Sequence, residues 1–152
     1  MKINVTAVIP VLRERVFAAL VDPDVLRRAI PGCESLTATG ADEYAATLKV
    51  GVAGLKGRYT GKAAIRDKQP TDSLTLTFEG KGGPGFVRGS GAIALTPEGD
   101  GTRIACEADI VVGGLIATVG SRLVEAAAKK LSEDFFKQLA KELAAPTEPE
   151  RS

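Results

Sequence analysis

The sequence predicts an α+β fold in which a curved antiparallel sheet wraps around one long C-terminal helix, with two short helices after the first strand. Apolar residues return at helical spacing from Leu115 to about Ala144, and this length corresponds to a helix of roughly 45 Å at 1.5 Å per residue. Between Glu43 and Val112, apolar and polar residues alternate in consecutive segments that hairpin-length loops separate. Because many apolar positions in these segments hold small side chains, we expect the sheet and the helix to enclose a space.

The first three elements are a strand and two short helices. Lys2–Val8 alternates like a strand, and apolar residues in Arg13–Val21 recur at helical spacing. Asp22 is suited to the N-cap of a second helix with Pro23 at its first position, and this helix is expected to end at Ile30. The two helices therefore separate the first strand from the rest of the sheet.

The central part of the chain predicts an antiparallel meander with one apolar face toward the core (the dry face) and one polar face toward solvent. After a short strand over residues 33–38, strands are expected over residues 44–52, 57–66, 74–80, 89–95 and 104–112. The final helix is predicted to carry its apolar face at Leu115, Val119, Leu123, Ala127, Leu131, Phe135, Leu139 and Leu143.

The dry face predicts a cavity because small residues of the sheet oppose small residues of the helix. The chain is only 5% aromatic, so little bulk remains to fill the gap. A ligand-sized pocket begins at about 300 Å³, and an unused void of that size would cost roughly 7 kcal/mol. The alternative is a thin, filled core. The small residues are Ala46, Gly61, Ala63, Gly80, Gly89, Gly91 and Ala108 on the sheet, and Gly120, Ala126 and Ala127 on the helix.

Composition excludes several classes of function. The chain has 152 residues, and its 20 Lys and Arg nearly balance its 19 Asp and Glu, for a net charge of +1. A protein without a broad positive field is not expected to bind nucleic acid. No apolar run reaches the ~20 residues of a transmembrane helix, and residues 1–8 lack the features of a signal peptide. We therefore expect one cytoplasmic domain over residues 1–145, followed by a disordered polar tail over residues 146–152.

Catalytic and metal chemistry has little support in this sequence. Histidine is absent, which removes the commonest general base and the usual zinc and non-haem iron ligand. Cys33 and Cys106 stand far apart and are expected to be reduced and structural. Glu107 and Asp109 share one strand face, and their alternation with apolar residues places both in solvent. No catalytic residue and no metal site is predicted.

Two further motifs remain open. The glycine-rich Gly80–Gly85 segment lacks the Lys-Ser/Thr ending and the following helix of a phosphate-binding loop, so it is expected to form a flexible hairpin loop at the cavity mouth. Tyr44 and Tyr59 fall on the dry face. They are expected either to pack in the core or to donate a hydrogen bond to a carbonyl-bearing ligand.

The order of elements, together with several local motifs, resembles the CoxG family of carbon monoxide dehydrogenase subunits from about Lys2 to Leu143. The most specific feature is Pro31-Gly32-Cys33 combined with Gly120-Ser121-Arg122-Leu123 and the Phe135-Phe136 pair. The other motifs are Asp22-Pro23, Gly57 to Gly61, Gly89-Ser90-Gly91 and Gly113-Gly114-Leu115-Ile116-Ala117.

This resemblance implies a helix-grip fold, shared with START domains and birch-pollen-allergen-like (Bet v 1-like) proteins, in which a sheet wraps a long helix around an apolar cavity. It also implies a non-enzymatic accessory protein that supports recruitment of a molybdenum-containing carbon monoxide dehydrogenase or related hydroxylase to the membrane respiratory chain. The implied ligand is an isoprenoid quinone or lipid rather than a cofactor. Longer relatives carry a hydrophobic C-terminal segment, whereas this chain ends in a polar tail, so only peripheral contact with the inner face of the cytoplasmic membrane is expected.

We therefore predict a binding protein and not an enzyme. A cyclase- or hydrolase-like enzyme of the same fold and a ligand-free protein-binding adaptor are the alternatives. The residues predicted to bind the ligand are Leu48, Val50, Tyr59, Phe78, Ile93, Ile110, Leu115, Val119 and Leu123, with Phe86 near an entrance.

Overall fold

The computed structural model describes residues 1–53 and 55–144, which form seven strands, three α-helices and one 3₁₀ segment. The predicted domain end at residue 145 and the predicted polar tail, residues 146–152, lie outside the described residues. The elements are β1 (Lys2–Ile9), α1 (Arg13–Leu20), α2 (Pro23–Ala29), β2 (Cys33–Gly40), β3 (Glu43–Val50), β4 (Gly57–Gln69), β5 (Ser73–Gly82), β6 (Gly85–Glu98), β7 (Gly101–Gly113), the 3₁₀ segment (Gly114–Val119) and α3 (Ser121–Ala144).

The strands form a single antiparallel sheet in the order β1-β7-β6-β5-β4-β3-β2. Strands β2 to β7 follow one another as a meander, and β1 pairs with the last strand. This arrangement confirms the predicted sheet. Several strands are longer than predicted: β6, for example, begins at Gly85 rather than Gly89, because its pairing with β5 continues to the hairpin turn.

The two short helices form where the sequence predicts them. Asp22 is the N-cap of α2, and its Oδ1 accepts a hydrogen bond of 2.9 Å from the backbone N–H of Asp24. Pro23 occupies the first helical position, where its missing N–H leaves no hydrogen bond unmade. The helix ends at Ala29, with Ile30 as its C-cap.

The prediction of one continuous helix from Leu115 is wrong. Residues 114–119 form a 3₁₀ segment, and α3 begins only at Ser121. Between them, Gly120 has φ +98°, a backbone conformation that strongly favours glycine. The apolar stripe did not reveal this break, because its spacing assumes the 3.6 residues per turn of an α-helix, whereas a 3₁₀ segment has three residues per turn.

Helix α3 is joined to the two short helices by hydrogen bonds near its C-terminus. The guanidinium of Arg15 in α1 donates a 2.7 Å hydrogen bond to the Leu143 carbonyl, and Arg28 Nε of α2 pairs with Glu142 Oε1 at 2.7 Å. Both halves of the helix reach the core, through the buried side chains of Val124, Ala127, Phe136 and Leu139. The backbone of α3 also packs against β1, at one edge of the sheet, and its N-terminal half faces the hollow of the sheet.

Candidate ligand-binding cavity

A cavity of about 410 Å³ lies between the inner face of the sheet and the N-terminal half of α3. Its helical wall is formed by Val124, Ala128, Leu131 and Ser132. Inward-facing residues of the strands supply most of the remaining wall, and Ile30 and Leu55 contribute from the connecting segments.

Six of the seven small sheet residues predicted for this space line it, all except Gly89. The three small helix residues predicted to face them, Gly120, Ala126 and Ala127, do not line it, so the prediction of a small-residue helix wall is wrong.

The strand register explains why the space is open. One row of inward-facing residues crosses the sheet from β2 to β7, with larger side chains at the ends and small ones in the middle. Because the middle positions carry at most a methyl group, nothing extends from the sheet toward α3 there. The row consists of Leu36, Ala46, Gly61, Gly80, Val87 and Val112, each paired with the next.

The two central glycines of this row have different surroundings. A Cβ on Gly61 would overlap the Glu79 carbonyl oxygen of the neighbouring strand. A Cβ on Gly80 would meet nothing closer than the Thr60 carbonyl oxygen at 3.7 Å. Gly61 is thus needed for strand pairing, whereas Gly80 leaves room that the cavity uses.

Six of the ten residues predicted as ligand-binding line the cavity, and four do not. The six lining residues all belong to inward faces of β3 to β7, which the alternation of the strands identified correctly. Their contact with a ligand stays a prediction. They are Leu48, Val50, Tyr59, Phe78, Ile93 and Ile110.

Phe86 lies on the opposite face of the sheet from the cavity. Strand β6 pairs with both neighbours without a register shift from Phe86 onward, so Phe86 alternates with the cavity-lining Val87. Its ring covers Gly113 of β7, and the Arg88 guanidinium lies 5.6 Å from the ring centroid. The predicted strand began at Gly89 and left Phe86 near an entrance. Because β6 begins at Gly85, Phe86 is a strand residue out of phase with Ile93.

Leu115, Val119 and Leu123 point into solvent, with 69%, 43% and 42% of their surface exposed. The first two belong to the 3₁₀ segment, whose buried residue is Ile116. On α3, the cavity instead receives positions 124, 128 and 131, which share one helical face. If the helix had been predicted to begin at Ser121, directly after Gly120, its own apolar residues would have identified the face that holds positions 124, 128 and 131.

The Lys81 to Gly85 segment does not line the cavity. Gly82 and Gly85 pair at the end of the β5–β6 hairpin, and the Pro84 carbonyl accepts a 2.9 Å hydrogen bond from the N–H of Ile116. The hairpin therefore supports the 3₁₀ segment instead of forming the predicted loop at the cavity mouth.

The two tyrosines differ in position. Tyr59 lines the cavity, and its hydroxyl donates a 2.7 Å hydrogen bond to the Leu55 carbonyl. Tyr44 is buried but outside the cavity lining, and burial together with nearby Asp42 raises its pKa. Burial likewise raises the pKa of Tyr59, so its phenol stays protonated at neutral pH.

The acidic pair Glu107 and Asp109 lies on the outer face of the sheet, as predicted. Asp109 is bound by Lys2 at 3.3 Å, and this hydrogen bond lowers the pKa of its carboxyl group.

In residues 1–53 and 55–144, no group of three or more His, Cys, Asp or Glu residues is arranged to hold a metal ion. None of the described helices combines the length and hydropathy needed to cross a membrane.

Comparison with known proteins places this geometry in a wider context. The model of the family described as the G subunit of carbon monoxide dehydrogenase (CoxG) matches residues 6–144. The crystal structure of a conserved protein from Geobacillus kaustophilus is 37% identical, with a TM-score of 0.91 and 95% of each chain covered. No curated protein gave a significant match.

More distant solved structures share the fold. A START superfamily protein from Mycobacterium smegmatis is 13% identical, with a TM-score of 0.75, and the match covers 93% of this chain and 96% of that one. The protein TTHA0849 from Thermus thermophilus is 20% identical, with a TM-score of 0.70 and coverage of 94% and 97%. These matches confirm the predicted helix-grip, START-like architecture.

Proposed function

The chain belongs to the CoxG family of carbon monoxide dehydrogenase subunits, and from this premise we propose that it binds a hydrophobic small molecule in its cavity. The proposal includes a non-enzymatic role. It assigns the chain to the support of a carbon monoxide dehydrogenase, as the name of the family indicates.

The cavity is the single observation that carries this proposal. Its volume of about 410 Å³ falls within the range of ~300–1,000 Å³ that small-molecule sites occupy. Its inward-facing side chains are almost all apolar, and several are only partly buried although they face the interior. Walls that stand apart lose the van der Waals contacts of a packed core, and a bound apolar molecule restores them.

The finer proposal concerns ligand and location. An isoprenoid quinone or a lipid would match the apolar lining, because both present a long hydrocarbon chain to walls such as Leu48, Phe78 and Leu131. The protein would act in the cytoplasm at the inner face of the membrane. There it would support recruitment of a molybdenum-containing carbon monoxide dehydrogenase or related hydroxylase to the respiratory chain.

Organic extraction of the purified protein, followed by mass spectrometry, tests this proposal. We expect one class of isoprenoid quinone or lipid at close to one molecule per chain. A Gly80→Leu preparation, in which the new side chain occupies the hollow, serves as the control and should yield much less of it. Equal extraction from both proteins would show that the molecule binds elsewhere and would contradict the proposal.

Two other results would also replace the proposal. Turnover of an extracted molecule by the purified protein would favour the enzyme alternative. An empty extract from a protein that still binds a carbon monoxide dehydrogenase would favour the ligand-free adaptor.

A further inference from the structure

We infer that the cavity prefers ligands whose polar group donates hydrogen bonds, such as a hydroxyl, over ligands whose polar group only accepts them, such as a carbonyl. The inference rests on the proposed function, and it specifies the ligand class of the same site. It reverses the expectation that Tyr59 donates to a carbonyl-bearing ligand.

The Tyr59 hydroxyl already donates its proton in a hydrogen bond within the protein. Its oxygen lies 2.7 Å from the Leu55 carbonyl oxygen, which can only accept, so the phenol must be the donor. The phenolic oxygen keeps acceptor capacity. A ligand in contact with this group therefore finds a lone pair and not a proton.

Ser132, on the helical wall, repeats this arrangement. Its Oγ lies 2.9 Å from the Ala128 carbonyl oxygen one turn earlier, and the hydroxyl again must donate. Its two lone pairs stay available to a ligand. Both residues line the cavity, Tyr59 from the sheet and Ser132 from α3, and each can offer a ligand an acceptor because its proton is already donated.

The other polar residues at the cavity do not supply a strong donor. Thr60, Lys62 and Glu79 are exposed and alternate with the inward-facing Gly61 and Gly80, so their side chains lie on the outer face of the sheet.

Cys106 is the remaining inward-facing polar side chain within the described lining. Its thiol is only a weak donor.

The preference for a donor ligand follows because an acceptor ligand would have to break a hydrogen bond that Tyr59 or Ser132 already makes. A ligand carbonyl could receive the Tyr59 or Ser132 proton only if the Leu55 or Ala128 carbonyl lost it, which exchanges one hydrogen bond for another. A ligand hydroxyl adds a hydrogen bond without breaking one. For a quinone, whose oxidised form only accepts and whose reduced form donates through its hydroxyls, the cavity would favour the reduced form.

The test compares 2-undecanol with 2-undecanone, which share one carbon skeleton, as competitors of the fluorescent probe N-phenyl-1-naphthylamine. Each competitor is titrated against the wild type and the Tyr59→Phe/Ser132→Ala variant. Because the same molecule leaves the same water in both titrations, its hydration cancels from the comparison between proteins. Tyr44→Phe, which changes a buried tyrosine outside the cavity lining, is the matched control.

We expect the affinity for 2-undecanol to fall about five- to tenfold in the double variant, the effect of one or two neutral hydrogen bonds. The affinity for 2-undecanone should stay unchanged, and Tyr44→Phe should change neither. If the double variant does not fold, Ser132→Ala alone should show the same selectivity.

Two outcomes would overturn the inference while leaving the proposed function in place: loss of ketone affinity in the variant, or unchanged alcohol affinity. If neither competitor displaces the probe from the wild type, the proposed function fails and the inference fails with it.

Discussion

Gly61 and Gly80 face each other across β4 and β5, yet they contribute to the molecule in different ways. Gly61 allows the strands to approach, because any Cβ there would overlap the Glu79 carbonyl oxygen. Gly80 places no side chain in the cavity at the middle of the sheet. The sequence identified both as small residues of the dry face, but only the backbone geometry of the paired strands separates the two roles.

Alanine substitutions should reveal this difference. Gly61→Ala is expected to lower the free energy of unfolding by about 1–3 kcal/mol, since the strands must shift to accept the new methyl group. Gly80→Ala should leave stability unchanged or raise it slightly, by restricting the unfolded chain. Urea denaturation of the two variants measures both effects. Equal losses in the two variants would contradict the assignment.

Cys106 offers a chemical probe of cavity occupancy. Burial, with a smaller effect of Glu107, raises the pKa of its thiol. Since the thiolate is the reactive form, alkylation by iodoacetamide should be slower than for a free thiol and should accelerate as the pH rises. In a Cys33→Ser background, saturation with 2-undecanol should protect Cys106.

Cys33 provides the matched control for that experiment. It lies in β2 and outside the cavity lining, so the ligand should not alter its alkylation in a Cys106→Ser background. Protection of Cys33, or no protection of Cys106, would contradict the placement of the ligand in the cavity.

Among the elements, α3 shows most clearly what a sequence pattern can and cannot predict. A step of four residues advances a helix by one turn plus about 40°, so a stripe from Leu115 to Leu143 would wrap about 280° around a single helix. No single face could bury it. The strands were predicted more accurately, because their period of two residues accumulates no drift. Phe86 was misplaced because the predicted strand began at Gly89, whereas β6 begins at Gly85.

The separation of α3 from the 3₁₀ segment depends on Gly120. At φ +98° an L-residue with a Cβ is strained, although the space around a Cβ at Gly120 is open. We expect Gly120→Ala to lower the free energy of unfolding by about 1–3 kcal/mol. Gly51→Ala is the control, because its surroundings are equally open and its φ is not positive. Thermal unfolding of both variants tests this, and similar stabilities would contradict a conformational requirement at Gly120.

For the molecule as a whole, the cavity lies between α3 and the small residues at the centre of the sheet. Arg15 and Arg28 hold the C-terminus of α3, and Val124 and Ala127 pack its N-terminal half into the core beside the cavity. The sequence predicted the small residues of the sheet and the helix-grip fold, but not the residues of α3 that complete the cavity wall. It could not predict the volume, because the separation of helix and sheet depends on contacts between residues more than a hundred positions apart.

If the cavity binds its ligand in the folded state alone, ligand should stabilise the protein. A free ligand concentration of 100 times the Kd should add about 2.7 kcal/mol to the free energy of unfolding. Thermal unfolding at increasing 2-undecanol concentrations checks this, with a matching rise in Tm. A Tm independent of the alcohol would contradict binding to the native fold.

The most direct measurement of the central claim is a fluorescence titration of N-phenyl-1-naphthylamine with the wild type, Gly80→Leu and Gly83→Leu. The leucine at position 80 projects into the hollow, whereas the one at position 83 lies on the exposed hairpin turn, where a Cβ meets nothing within 4 Å. We predict saturable binding to the wild type and Gly83→Leu, and at least about tenfold weaker binding to a folded Gly80→Leu. Equal affinity in all three proteins, or no saturable binding to the wild type, would contradict a ligand-binding cavity.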